Sequence, residues 1–299
     1  GFLDQRNTKA YPFDPNPARF RPTGELDLSK LTFDINATQE DFRFPQVWKS
    51  NIGIDHRLGG AWVASVEFLY NKTLNAIKHI QANLEPTTNK FSGPDTRLRY
   101  LGSGAANTAK ADSLNRINDN VVSALVFRNT SEGYFYSLTG KIERPLGRKF
   151  GAMLAYTYGV AKDLANAGAT ASESFNSIFA VNGSNKPTLA YANNDLRHRV
   201  VGYVSYVINY GGKLGGSTVL SLSGIANSGY KVSYSVSGDL NGDGVTNNEL
   251  IYVPNKASEL RFADITGSAP FTAAQQAAAF DAYSDQDDYL SARRGQYVE

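Results

Sequence analysis

One short stretch of the sequence has residue types and spacing that could bind a metal ion. Between residues 239 and 249, residues with oxygen-bearing side chains alternate with others around a glycine, as in the calcium loop of an EF-hand. The candidate ligands for one hard cation are Asp239, Asn241, Asp243, the carbonyl of Val245, Asn247 directly or through a water, and Glu249. We expect one structural calcium ion here, not a catalytic metal.

The same loop departs from the EF-hand pattern at its end. Position twelve of such a loop would be Leu250, and the carboxylate of Glu249 comes one residue early, which weakens bidentate closure. No helical pattern flanks the loop. In the alternative interpretation this is a turn-rich loop, with Asn, Asp and Gly present for left-handed backbone and local side-chain hydrogen bonds.

No other group of residues has the spacing of a catalytic site. The three histidines, His56, His79 and His198, lie in no zinc-protease motif, nucleophile elbow or ligand-spaced pair. His198 starts a predicted strand between two arginines, where a polar residue near a membrane interface is the simpler explanation. No helix that could bind a phosphate follows the glycine pairs. We therefore expect that the chain is not an enzyme.

Composition points to an all-β protein with many turns. The 299 residues include 17 Tyr, 16 Phe and 27 Gly, and there is no Cys, so disulfides and thiolate metal sites are excluded. The net charge is +2 and the charges are scattered, which argues against nucleic acid as a partner. No apolar run reaches the roughly 18 residues of a membrane-spanning helix, whereas the strands of a membrane barrel need only alternate.

The predicted strands are joined by connections of two lengths. Short turns containing glycine lie at 57–60, 145–149 and 211–216. Long polar connections cover about 81–120, about 164–195 and everything after about 237. Outer-membrane barrels show this asymmetry, because their periplasmic turns are short and their external loops are long.

Apolar and polar residues alternate along the segments that flank the short turns. After the first turn, one face has Ala64, Val66, Phe68 and Tyr70, and the other has Ser65, Glu67, Asn71 and Thr73. The other two turns have similar flanks, over about 121–144 and 217–236, with Tyr and Phe near the ends. We predict a transmembrane antiparallel β-barrel wall. Its lumen-facing residues would be Glu67, Asn71, Thr139, Lys141 and Glu143, for which solvation of a wide interior is the simplest role.

The whole chain, 1–299, is then part of one barrel domain. Residues 1–43 are an irregular, proline-rich lead-in and a first strand, 44–236 are three strand hairpins, and 237–299 are a long external loop. Within that loop, a capping box of Thr272 and Gln275 predicts a short helix over 273–283, and 285–294 could form a second. The chain starts without Met or a signal peptide, so we expect a mature and incomplete piece of a longer protein.

Four stretches resemble one family of membrane receptors. They are 238–254 (GDLNGDGVTNNELIYVP), 129–136 (NTSEGYFY), 155–163 (AYTYGVAKD) and 289–297 (YLSARRGQY). In these the chain is similar to Oar-like TonB-dependent receptors of the Bacteroidota type, over most of its length from about residue 45. The resemblance implies a 22-stranded barrel with an internal plug, of which this chain would be a sector lacking the plug, the TonB-contacting segment and the last strands.

The function that the resemblance implies is import of a scarce ligand across the bacterial outer membrane with energy delivered by TonB. The expected partners are membrane lipid, TonB through parts outside this chain, and a surface lipoprotein or protein ligand. One alternative is a structural or adhesive outer-membrane barrel that binds envelope or secreted proteins. Another is a secreted, calcium-dependent carbohydrate-binding β-sandwich, which has no reason for turns that are short at one end and long at the other.

Overall fold

The computed structural model describes residues 15, 16, 19, 32–101, 114–164, 170–212 and 215–298. Almost all of the predicted irregular segment 1–30 lies outside these residues. Within them the all-β prediction is confirmed, since strands far outnumber helices. No helix in the described ranges is both long and apolar enough to cross a membrane.

One large sheet accounts for most of the structure. Its strands are β1 (Phe33–Thr38), β2 (Gln46–Gly59), β3 (Trp62–Gln81), β4 (Val121–Thr130), β5 (Tyr134–Arg144), β6 (Phe150–Asp163), β7 (Ala190–Tyr191), β8 (His198–Asn209) and β9 (Ser217–Asn227). A separate two-stranded sheet pairs β10 (Tyr252–Val253) with β11 (Gln296–Tyr297). Helices that lie wholly within the described residues are α1 (Ala171–Asn176), α2 (Ala273–Gln286), α3 (Asp288–Ser291) and a 3₁₀ turn (Ala257–Glu259).

The long strands form an antiparallel meander. Hairpins join β2 to β3, β5 to β6 and β8 to β9 at the three glycine-bearing turns, and β6 pairs with β8. At the first turn, Gly59, Gly60 and Ala61 all have positive φ, the conformation that a tight hairpin requires. In the described part of the chain, the outer edges of β2 and β9 have no partner strand. The sheet is therefore open at both sides.

The strand expected over 121–144 is interrupted but keeps its alignment. Lys72 lies opposite Tyr134 and Ala76 opposite Thr130, so β4 and β5 follow β3 in one register on either side of the break. At the break Gly133 has φ +121°, and a Cβ there would lie 2.9 Å from Oγ1 of Thr73. Only glycine fits this kink, which divides the lower part of the sheet from the upper.

Two features differ from the predicted antiparallel wall. β1 pairs with β4 in parallel, Ile35 opposite Ala124. The reason is that β6 reaches only to the start of β5, with Lys162 opposite Tyr134, so the outer edge of β4 is left open for another strand. The last strand also ends at Asn227 and not near residue 236, because its partner β8 begins at His198.

The two faces of the sheet differ in polarity, most clearly in β2, β3 and β5. Register places Phe68 opposite Ile52 and Leu138, and Leu154 opposite Ile142, so apolar side chains share one face, here called the apolar face. Its exposed members are Ile52, Ile54, Val66, Phe68, Leu138, Ile142, Leu154, Val200, Val204, Leu220 and Leu222. The opposite, polar face carries Asp55, Ser65, Glu67, Thr139, Lys141, Thr157 and Ser205. The alternation predicted from sequence is thus in register across the sheet.

Aromatic residues lie at two levels of the apolar face. Near the short turns, the rings of Trp62 and Phe150 are 6.4 Å apart, and Phe150 lies opposite Tyr206. Toward the other end, Tyr70 lies opposite Tyr136. The eight residue-to-residue steps from Trp62 to Tyr70 span about 26 Å of strand, or roughly 20 Å of height at a 40° tilt. This height is close to that of a lipid-facing band between two aromatic girdles.

The buried core lies in the long connections and not on the sheet. The described parts of the three long connections, with the upper ends of β3, β4 and β6, form what we call the loop body. One of its clusters contains Val181, Leu250, Val253, Leu290 and Val298, a second contains Leu84, Leu98 and Tyr100, and a third contains Leu125, Phe175 and Val245. Helix α2 starts at the predicted capping box of Thr272 and Gln275 and packs as part of this body.

A pair of glycine substitutions tests the hairpin between β5 and β6. A Cβ on Gly151 would lie 2.6 Å from the Cα of Leu146 in the turn, whereas a Cβ on Gly140 would meet nothing within 4 Å. We expect Gly151→Ala to lower the free energy of unfolding by about 1–3 kcal/mol because the turn backbone must move. Gly140→Ala should change it by less than about 0.5 kcal/mol. Urea unfolding measures both; equal losses would contradict the close packing of this turn.

Candidate functional site

The chain folds back on itself over residues 238–249, here called the acidic loop. Gly238 donates its N–H to Oδ1 of Asn247 at 2.9 Å, and Asn247 donates its N–H to the Gly238 carbonyl at 2.8 Å. Asn247 has φ +63°, a left-handed conformation that asparagine tolerates. The exposed Asn247 side chain, predicted as a ligand, is thus used to close the loop.

Three carboxylates of this loop come together in its interior. Asp239, Asp243 and Glu249 are all buried, and one oxygen from each lies within 4.8 Å of the others. Asn241 is fully buried among them and donates from Nδ2 to Oδ2 of Asp243 at 3.3 Å. The one-residue shift of Glu249 from the EF-hand position therefore does not keep its carboxylate out of the cluster.

Backbone N–H groups hold two of the side chains in place. Asp239 accepts hydrogen bonds from the N–H of Gly242 at 2.7 Å and of Gly244 at 2.9 Å. Asn241 Oδ1 accepts from the N–H of Asp243 at 2.8 Å. These short-range bonds wrap the chain tightly around its acidic groups, a conformation that needs the two glycines at positive φ.

The other two carboxylates are held in the same way. Oδ1 of Asp243 accepts from the N–H of Val245 at 2.9 Å, and Oε1 of Glu249 accepts from the N–H of Leu240 at 3.2 Å. The second oxygen of Glu249, Oε2, is buried and has no hydrogen-bond partner among the described residues. A fully buried carboxylate oxygen without a donor is costly.

The electrostatics of the cluster are unfavourable for three bare negative charges. Burial raises the pKa of Asp243 to about 6, and burial together with the nearby Asp243 raises the pKa of Glu249 to about 7. Burial also raises the pKa of Asp239, although the N–H groups of Gly244 and Gly242 oppose the shift. The arrangement therefore favours either protonation or a cation between the carboxylates.

All three long connections contribute to this site. From the first, Tyr100 donates its N–H to the carbonyl of Asn241 at 2.8 Å, and Asn115 donates from Nδ2 to the carbonyl of Gly242 at 2.9 Å. From the second, Gly183, with φ +78°, lies so close to the Asp243 carboxylate that no side chain would fit. No local pattern marks these residues, because each is far in sequence from the loop that it contacts.

The remaining predicted ligand, Val245, has a structural role through its side chain. It is buried against Leu125 at the upper end of β4 and against Phe175 of α1. Asn248 adds a second anchor, donating from Nδ2 to Oγ of Ser184 at 2.9 Å. The acidic loop is therefore attached to the sheet as well as to the other connections.

The five predicted wall residues share the polar face but do not form one compact site. Glu67 lies opposite Thr139, and Lys141 and Glu143 form a partly exposed ion pair at 2.9 Å. Asn71 lies further along β3, opposite Phe135. Sequence analysis missed Asp55 of β2, which lies opposite Ser65; its signal was the same alternation in the strand before the first turn.

The hydrogen bonds of the Asn115 side chain should hold the acidic loop in place, so their removal should make the loop more mobile. Asn115→Ala leaves the Gly242 and Leu101 carbonyls without their donor, and we expect a loss of about 1–3 kcal/mol in stability. Hydrogen exchange of the amides over 239–249 should become faster. The matched control is Asn176→Ala, which removes only an exposed bond to Ser172 in α1. If the amide hydrogen-exchange rates over 239–249 are unchanged in Asn115→Ala, the Asn115 side chain does not hold the acidic loop in place.

Comparison with known proteins identifies the family. No curated protein and no solved structure matches the chain. The family model described as "Outer membrane beta barrel domain" matches residues 4–297. This match agrees with the structure, because the apolar face of the sheet is exposed in the described residues and has aromatic residues at two heights, as the lipid-facing wall of a barrel does. The chain belongs to the outer-membrane β-barrel domain family, and its place is the bacterial outer membrane.

Proposed function

We propose that this barrel belongs to a TonB-dependent receptor that imports a scarce ligand, and that it has no catalytic role. The observation that carries the proposal is the charge on the polar face. Glu67, Lys141 and Glu143 place charged groups on this face, and Lys141 and Glu143 pair with each other. Charged side chains on the inner face suit a wide barrel with a wet or plugged interior.

The open edges of the sheet agree with a wide barrel. In the part of the chain that the structure describes, β2 and β9 each have an unpaired backbone edge, which cannot stay unpaired in lipid, so further strands must complete the wall. A barrel of about 22 strands with a plug, as the resemblance to Oar-like receptors implies, would complete it. Glu67, Asn71, Thr139, Lys141 and Glu143 would then face the lumen.

The loop body fits the same proposal. It lies at the ends of the strands opposite the short turns, and the long connections of outer-membrane barrels are on the external side. A packed external body can bind or gate a ligand above the lumen, and a surface lipoprotein or protein ligand would dock on it. A packed loop body also suits the second candidate, a structural or adhesive barrel that binds envelope or secreted proteins.

The third interpretation from sequence, a secreted carbohydrate-binding β-sandwich, is wrong. A sandwich needs a second sheet over its apolar face. In the described residues the only other sheet is the two-stranded pair of β10 and β11, and the apolar face remains exposed. The family match to an outer-membrane barrel agrees with this correction.

Adjacent residues of β5 test which face meets lipid. Leu138 lies on the apolar face and Thr139 on the polar face. Leu138→Arg should cost about 2–4 kcal/mol near the middle of the membrane and reduce the heat-modifiable, folded fraction on SDS gels. Thr139→Arg, the matched control, should assemble normally because its side chain reaches water. Equal assembly of both variants, or failure of Thr139→Arg alone, would contradict the assignment of faces.

Growth of the native bacterium tests import directly. Three strains are compared: one lacks the full-length gene, one lacks TonB, and the parent lacks neither. Each is grown with an iron chelate as the sole source of iron, with cobalamin as the sole source of that cofactor, or with an oligosaccharide as the sole source of carbon. Import predicts that both deletions abolish growth on the same nutrient and that restoring the gene restores growth only where TonB is present. If deletion of the gene leaves growth on every nutrient unchanged but removes attachment of a protein to the cell surface, the adhesive candidate replaces import.

A further inference from the structure

We propose that Asp239, Asn241, Asp243 and Glu249 form a binding site for one calcium ion and that this ion fastens the three long connections to one another. This inference concerns the loop body alone and does not depend on what the barrel imports. It rests on the grouping of the ligands, on an unsatisfied buried oxygen, and on the contacts that the loop makes with its neighbours.

The first step is the close approach of the carboxylates. Asp239, Asp243 and Glu249 each offer an oxygen, and these oxygens all lie within 4.8 Å of one another. Carboxylates this close together and out of water require a proton or a cation between them. No Lys or Arg forms an ion pair with these groups in the described part of the chain.

The second and independent step is the orphaned oxygen of Glu249. Glu249 has 0% of its surface exposed, and its Oε2 has no hydrogen-bond partner in the described residues. Its Oε1 is held by the N–H groups of Leu240 and Asn241, which fixes the carboxylate within the cluster. A metal ion would satisfy the free oxygen where the protein supplies no donor.

The chemistry of the donors selects a hard cation. The grouped ligands are three carboxylates, the side chain of Asn241 lies beside them, and no His or Cys joins them in the described structure. Calcium accepts six to eight oxygens in flexible geometry, while magnesium needs near-octahedral ligands at shorter distance. A loop that wraps irregularly around its ligands fits calcium better.

The consequence for the loop body follows from the contacts of the acidic loop. Tyr100 and Asn115 of the first long connection bond to the carbonyls of Asn241 and Gly242, and Gly183 of the second contacts Asp243. An ion that orders the acidic loop would therefore order parts of all three connections. Its removal should release them together.

The test uses the purified full-length protein in detergent. Divalent ions are removed with a chelator, and calcium chloride is then titrated by calorimetry while thermal unfolding is recorded at each concentration. We expect saturable binding of one calcium ion per chain and a rise of several degrees in the unfolding midpoint of the loop body. Absence of binding, or equal binding of magnesium and calcium, would overturn the proposal.

Variants separate a metal site from a merely structural cluster. Asp243→Asn and Glu249→Gln should lose the calcium response, yet in chelator they should be as stable as the parent or more stable, because a charge repulsion is removed. Glu132→Gln, at an exposed carboxylate outside the acidic loop, should keep the response. Destabilisation of Asp243→Asn and Glu249→Gln to the same extent with and without calcium would overturn the proposal.

Discussion

Cross-strand register is the constraint on which the rest of this structure depends. Because side chains alternate with a period of two, each strand must pair at a fixed alignment for Phe68, Leu138, Tyr156 and Leu222 to share one face. A slip of one residue anywhere would put charged groups such as Lys141 into lipid. The apolar face has no protein cover in the described residues, so the membrane itself supplies the burial that fixes the register.

The loop body is stabilised differently, because its apolar side chains pack against one another and not against lipid. Its apolar clusters are small, and polar contacts centred on the acidic loop connect them. The kink at Gly133 lies between the amphipathic sheet and the loop body. β5, below the kink, belongs to the amphipathic sheet, and β4, above it, packs against α1 and Val245. β3 pairs with both β4 and β5 and therefore connects the amphipathic sheet to the loop body.

Local sequence patterns were sufficient for the parts of the fold that repeat. Alternation located the three hairpins and both faces, and the capping box located the start of α2. The parallel pairing of β1 with β4 could not be predicted, because it depends on where β6 stops. For the site, the motif identified Asp239, Asp243 and Glu249, but not Asn115 or Gly183, whose positions depend on how distant connections pack. It also proposed Asn247 as a ligand, although the structure uses that side chain for loop closure.

The central claim is that this sheet is a lipid-facing wall with a wet inner face, and the chain, which has no cysteine, allows a direct test. Single cysteines are introduced at each position from 134 to 142 of the full-length protein in outer-membrane vesicles. They are then labelled with a water-soluble maleimide and, separately, with a lipid-soluble one. The account predicts strict alternation, with odd positions labelled from water and even positions from lipid. Labelling of all positions from water, or a pattern without a period of two, would contradict it.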